Sequence, residues 1–251
     1  MRTSITPPYN TDGMPSNSGA RPLLARIITV TGGLAFLGSG LWTVVVYIRD
    51  FGADPGPWAS GAAWPALWQN SAWFVLFAAH HSIFARDTVK TWMAAIVSAE
   101  LERSTYVWIA SALLAALVWQ WRPVPGIAWA AEGVAVGGLT ALQLAGLAIT
   151  GYAASQLGVL RLAGMHPPEA SPRLRHDSLY GFVRHPIYFA WLLMVWPSPT
   201  MTGSRLTFAV LTTLYLVVAI PLEERSLRKA FGPAYDRYCL RVRWRMLPGV
   251  Y

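Results

Sequence analysis

The chain is nearly devoid of cysteine: Cys239 is the single one among 251 residues. That excludes an intramolecular disulfide and any metal centre made of cysteine thiolates. Charge is scarce too. Asp, Glu, Lys and Arg make up 13% of the chain, about half the share in an ordinary soluble domain. Acidic residues are the rarer sign, 12 against 20 basic ones, for a formal net charge of +8. No repeat of fixed period, no Walker-type loop and no dinucleotide-binding glycine fingerprint is present, which removes the common signs of repeat arrays and phosphate-cradling folds. The opening residues have neither the basic stretch nor the short apolar core of a cleaved signal peptide. Residues 1–22, rich in Ser, Thr, Pro, Gly and Asn, read as a disordered tail.

What the chain has in excess is apolar surface, with 54% hydrophobic residues and 13 tryptophans. A bilayer core about 30 Å thick needs roughly 20 apolar residues per crossing helix. Windows of that kind run over 27–48, 64–84, 105–121 and 133–157. The last apolar region, 187–222, is interrupted by WPSPTMTGSR and reads as a helical hairpin, a short arm from Pro186 to Pro199 followed by a span over 206–222. The expected fold is all-α, a polytopic membrane helical bundle of about six segments, with five full spans plus a short hairpin arm as the fallback. GVAVGG at 133–138 predicts a close approach between helices. Trp58, Trp64, Trp68, Trp119, Trp121 and Trp129 lie near window ends and read as interfacial anchors.

Threading these windows with both termini on one side puts every Lys and Arg there except Arg49, Arg122 and Arg205. The positive-inside rule makes that side the cytoplasm. The basic excess then reports topology and contact with anionic lipid heads. No basic soluble domain exists to bind nucleic acid, so the expected partners are the lipid bilayer and a small ligand; the oligomeric state is left open.

Polar chemistry gathers at the cytoplasmic ends of the last two segments. In LYGFVRHPIY, residues 179–188, Pro186 suits a first helical turn and sets His185 at the N-cap, while Tyr188, three residues on, shares its face. Unpaired N–H groups and the partial positive charge of a helix start suit a carboxylate. In LEER, residues 222–225, Glu223 and Glu224 oppose the dipole at the end of an apolar helix. A cation must stand beside them: Arg184, Arg225 or a cationic ligand. Taken singly, such residues only snorkel and pair at a membrane boundary. A hairpin that brings both segments together points to a site.

The pattern Tyr180-Gly181, Arg184-His185-Pro186 and Tyr188, then Glu223-Glu224, Phe231-Gly232, Tyr235, Tyr238 and Val242, resembles the C-terminal region of the integral-membrane methyltransferases that include isoprenylcysteine carboxyl methyltransferases and phospholipid methyltransferases. Upstream, HHSIFARDTVKTWM and ERSTYVWIASALLAALVWQWRPVPGIAW are similar to methanethiol S-methyltransferases, which extends the resemblance over roughly residues 71–248. In one departure, Leu162 of LGVLRLAGM stands where a Gln of a segment like FGLRQ would fall.

The resemblance implies S-adenosylmethionine as methyl donor, bound on the cytosolic side by Tyr180, Gly181, Val183, His185, Pro186, Tyr188, Glu223 and Glu224. His185, Tyr188 and Arg184 are the expected catalytic set. The carboxylates would serve the ammonium or the ribose side of the donor, and His185 with the helix-start N–H groups the carboxylate side. His81, Glu102 and Arg103 would border the acceptor pocket. The implied acceptor is small or apolar, a thiol first, an isoprenylcysteine carboxylate or a lipid amine next, and the implied location is the bacterial cytoplasmic membrane. On this reading residues 23–157 are N-terminal transmembrane helices, and 158–251 hold the cofactor-binding loop, the hairpin and a basic cytoplasmic tail of the same domain.

HHSIFARDTVK also resembles membrane proteins related to zeta-carotene isomerase, which bind heme through histidine; that alternative makes His81 an axial ligand. Adjacent residues point about 100° apart on a helix, so His80 and His81 divide between a core and a boundary contact. No metal site is expected, since His166, His176 and His185 have no cysteine partners. A non-catalytic membrane scaffold is the third reading.

Overall fold

A computed structural model describes residues 20–53, 56–84, 89, 97, 99–165 and 173–251. Most of the expected tail, together with Arg2, Arg86, Lys90 and His166, lies outside these residues. The elements in chain order are α1 (Ala20–Arg49), α2 (Ser60–Ile83), α3 (Ala99–Trp119), β1 (Ile127–Ala130), α4 (Val134–Leu157), α5 (Val159–Leu162), a 3₁₀ turn (Ser178–Gly181), α6 (Pro186–Val195), β2 (Thr200–Thr202), α7 (Gly203–Phe231) and α8 (Pro233–Arg241).

Among the described residues, four helical stretches are long and apolar enough to cross a membrane: Leu23–Arg49, Leu101–Trp119, Val134–Leu157 and Gly203–Phe231. Their outward faces carry exposed Leu41, Leu144 and Val218, a distribution that suits lipid rather than water. The expected all-α membrane bundle is therefore found. Helix α2 departs from the expected set of full spans. It is 24 residues long, but Gln69, Asn70, His80 and His81 dilute its apolar run. Two of these polar groups bind the chain that leaves α3. Buried Asn70 donates through Nδ2 to the Arg122 carbonyl at 2.8 Å and accepts from the Arg122 N–H at 2.9 Å. Gln69 Nε2 donates to the Gln120 carbonyl at 2.8 Å.

Helix α1 lies along α3, α4 along α6, and α2 touches α3 and α7. The close approach expected from GVAVGG is made elsewhere. A Cβ on Gly137 or Gly138 would meet nothing within 4 Å, whereas one on Gly146 would lie 2.7 Å from the Ala190 carbonyl and 2.9 Å from Met194 Cγ. The α4–α6 contact thus depends on the absence of a side chain at Gly146. Trp121, expected at the interface, instead packs in a cluster with Phe51 and Phe208.

Helix α6 has 10 residues, which at 1.5 Å per residue spans about half of a bilayer core. This is the shallow arm of the fallback reading. The interruption after it closes in a two-stranded antiparallel ribbon that hydropathy did not foresee: Ile127 pairs with Thr202, Trp129 with Met201 and Ala130 with Thr200, with a bulge between Ile127 and Trp129. Arg205, at the start of α7, ties this end together. It donates to the Thr200 carbonyl at 2.8 Å, Ser198 Oγ at 3.0 Å and the Ile48 carbonyl at 3.2 Å. Thr202 Oγ1 donates to the Phe51 carbonyl.

At the opposite end α8 turns back, and the residues after it form a strap. The N–H groups of Arg184 and His185 donate to the carbonyls of Trp244 and Arg245 at 2.9 and 2.8 Å. The expected basic tail is thus built into the fold, where it holds the start of α6 in place.

Candidate functional site

Pro186 is the first residue of α6 and His185 its N-cap, as the local sequence requires, because proline has no N–H to lose at that position. The imidazole of His185 stacks on the ring of Tyr188 with centroids 5.3 Å apart and planes 7° from parallel. Across from them, the end of α7 presents Glu223 and Glu224. The hairpin does unite the two segments, but it gives the two carboxylates different surroundings.

Glu224 is buried, with 1% of its surface exposed. Its Oε1 lies 2.8 Å from Arg184 Nε and 3.5 Å from His185 Nε2, and its Oε2 lies 3.2 Å from Arg245 Nε. Two guanidinium groups around one carboxylate leave net positive charge at this point. Glu223 is half-exposed. Its Oε2 accepts from the Tyr188 hydroxyl at 2.8 Å and stands 3.6 Å from His185 Nδ1.

A cavity of about 440 Å³ opens beside this cluster, within the size range of small-molecule sites. Of the expected donor-binding residues, Tyr180, His185, Pro186, Tyr188 and Glu223 line it, as does Arg184. Glu224 does not, and neither do Gly181 and Val183. Val183 is buried beneath the loop, and Gly181 ends the 3₁₀ turn.

Several lining residues were missed by the sequence reading. Arg173 and Arg175 come from the loop before the turn, where no periodicity could place them. Tyr235 and Tyr238 belong to α8 and were noted as pattern without a role; their spacing on an amphipathic helix was the available signal. Tyr238 donates its hydroxyl to the Tyr180 carbonyl at 2.7 Å. Tyr235 is buried in the wall of this cavity. Burial pushes the Tyr180 phenol up to about 12, with the Glu223 charge adding to the rise and Arg175 opposing it. Tyr180 is a neutral hydroxyl at physiological pH.

The cavity wall therefore offers charge of both signs: the Glu223 carboxylate, and Arg184 with the loop arginines. Hydroxyls and aromatic faces lie between them. Such a wall can bind an amphiphilic zwitterion, and an S-adenosylmethionine molecule has the groups to match.

The residues expected around the acceptor are dispersed. His81, at the end of α2, lines a second cavity of about 310 Å³ with Ser82, Tyr215, Tyr188 and Glu223. Glu102 and Arg103 line neither cavity. Arg103 instead donates from Nη2 to the Arg161 carbonyl at 2.5 Å, bracing the turn after α4. His81 Nδ1 lies 2.8 Å from the Tyr106 hydroxyl. Among the described residues, no group of three or more His, Cys, Asp or Glu is gathered to hold a metal ion.

Known proteins resemble this chain along much of its length. It is 41% identical over 183 residues to methanethiol S-methyltransferase 1 of Bradyrhizobium diazoefficiens, an alignment covering 69% of this chain and 64% of that one. With methanethiol S-methyltransferase of Pseudomonas deceptionensis the identity is 35% over 199 residues, covering 74% and 73% of the two chains. Nurim of Sus scrofa is 28% identical over 181 residues, 65% of this chain and 68% of that one. No family model and no solved structure matches the chain.

Proposed function

The chain belongs to the methanethiol S-methyltransferase family, and on that premise we propose that it moves the methyl group of S-adenosylmethionine to a small thiol, methanethiol first among them. The observation that carries this reading is the wall of the larger cavity, where the Glu223 carboxylate and the Arg184 guanidinium stand among tyrosine rings. The donor's ammonium belongs at Glu223. Its carboxylate belongs at Arg184, which shares Glu224 with Arg245, and at the loop arginines. Residues 158–251 form the donor-binding part of a single domain, braced by the C-terminal strap. The chain resides in the bacterial cytoplasmic membrane with both termini and the donor cavity on the cytoplasmic side, a topology supported by the few basic residues at the Arg205 end.

When bound, the donor supplies a methyl carbon on a sulfonium sulfur. A bond from the acceptor sulfur to that carbon forms as the bond to the sulfonium breaks, and the thiol proton must leave. The geometry supports binding and orienting roles for the expected catalytic set. His185 stands between Glu223 and Glu224, and the Tyr188 proton is committed to Glu223. Arg184 is paired with Glu224. These groups fix the donor's attitude, and alignment alone supplies a large part of the acceleration in a displacement of this kind.

The test is calorimetric titration of the detergent-purified full chain with S-adenosylmethionine, alongside Glu223→Gln. The expected result is saturable binding, weakened about 10- to 100-fold by the variant, as for loss of a charge-assisted contact. Headspace analysis after addition of methanethiol should then find dimethyl sulfide. A folded protein that binds no donor would overturn the reading.

A further inference from the structure

We propose that the cavity between α2 and α7 is the acceptor chamber, that it takes a small neutral thiol, and that His81 accepts the thiol proton as the new carbon–sulfur bond forms. This inference rests on the methyltransferase reading above. Its first support is adjacency. Tyr188 and Glu223 line both cavities, so the two share an edge at this hydrogen-bonded pair. The second is size, since about 310 Å³ lies at the small end of ligand sites.

The third support is the chemistry of the lining. Glu223 is occupied by Tyr188 and faces His185, which leaves it poorly placed to take another proton. His81 is differently held. The Tyr106 hydroxyl lies 3.3 Å from the His81 carbonyl, to which it donates, and 2.8 Å from His81 Nδ1. The proposed base is the tautomer in which Nδ1–H donates to that hydroxyl, whose own proton points to the carbonyl, and the lone pair is on Nε2. An imidazole braced by a hydroxyl in that tautomer is a ready general base. Tyr215 accepts from Ser82 at 3.2 Å and keeps its own hydroxyl proton for a sulfur anion. His81 is exposed, which opens the chamber to an apolar thiol arriving from the lipid. Neighbouring His80 is stacked between Phe84 and Tyr106, with centroids at 4.5 and 5.5 Å, and does not line the chamber.

The step balances. The S–H proton passes to His81, the sulfur electron pair forms the bond to the methyl carbon, and the sulfonium leaves as a neutral thioether. His81 then gives the proton to solvent.

The experiment compares methanethiol with methaneselenol, which is already ionised at neutral pH and needs no base. In the full-length chain in detergent, His81→Ala should leave calorimetric donor affinity within about twofold of wild type. Transfer to methanethiol should fall about 100-fold or more, and transfer to methaneselenol less than about tenfold. His81→Gln, which retains a polar group beside Tyr106, should behave alike and serves if the alanine variant does not fold. Ala219→Phe, which fills the chamber from α7, should raise the acceptor KM at least about tenfold with donor affinity unchanged. Equal loss of thiol and selenol transfer, or no loss of either, would overturn the role of His81. An unchanged acceptor KM in Ala219→Phe would overturn the chamber. Failure of the wild type to bind donor would overturn the methyltransferase reading itself, and is distinguished by the calorimetry.

Discussion

Both ends of the bundle hold partly buried arginine, but they satisfy it differently. At one end Arg205 is surrounded by neutral acceptors, the carbonyls of Thr200 and Ile48 and the hydroxyl of Ser198. Its donors are spent on these groups, and the arginine, which also borders a cavity of about 400 Å³, serves as a peg joining α1, α7 and the strand ribbon. At the other end Arg184 and Arg245 converge on Glu224, while Glu223 faces a cavity. Charges of both signs remain available there. An arginine whose partners are all neutral presents charge of one sign; arginines that share a carboxylate beside a second, half-exposed one present both.

The sharpest way to break this contrast is Glu224→Ala. Two guanidinium groups lose their carboxylate, at a cost of about 3–5 kcal/mol, and detergent-solubilised thermal unfolding should record a large fall together with loss of donor binding. Arg205→Leu should cost about 2–3 kcal/mol through the acceptors it leaves unpaired, but the surviving folded protein should bind donor with wild-type affinity. If donor affinity falls as well, the two ends are not independent. Gly146→Leu should lower stability by about 1–3 kcal/mol by forcing α4 from α6, read in the same unfolding assay. Glu223→Gln should change stability by no more than about 0.5 kcal/mol, so that its effect on donor binding stands apart from folding. The last effect, confined to high pH, concerns Tyr180. Its phenol ionises near 12 when folded rather than at 10, so the unfolded chain releases the proton first as pH rises between those values. Stability should fall in that interval, less so in Tyr180→Phe, as pH-dependent unfolding will show.

Much of this architecture is legible from residue order. The windows 27–48 and 206–222 fall within α1 and α7, and 105–121 and 133–157 overlap α3 and α4, because the length and polarity of a crossing helix are imposed by the bilayer. The proline at 186 marks the start of α6 for an equally local reason. Helix α2 is harder, since Gln69 and Asn70 bind carbonyls roughly 50 residues away, and hydropathy scores them only as polar. Gly146, with no pattern around it, makes the close approach that the glycine-rich GVAVGG does not.

The candidate site divides in the same way. That Arg184, His185, Tyr188 and Glu223 would meet follows from a hairpin with polar residues at both ends. Which of two adjacent glutamates faces the cavity does not follow, because neighbours on a helix point about 100° apart and the rotation of α7 is decided by packing. The same holds for His81, whose orientation depends on Tyr106 from another helix. Residue order, through hydrophobic length and local backbone chemistry, settled that this chain is a helical membrane protein with a polar cluster at one end. Only the folded chain decided that Glu224 anchors that cluster, that the strap after α8 holds it, and that Tyr188 and Glu223 line two cavities. Those arrangements arise from contacts between residues far apart in sequence, which no local periodicity records.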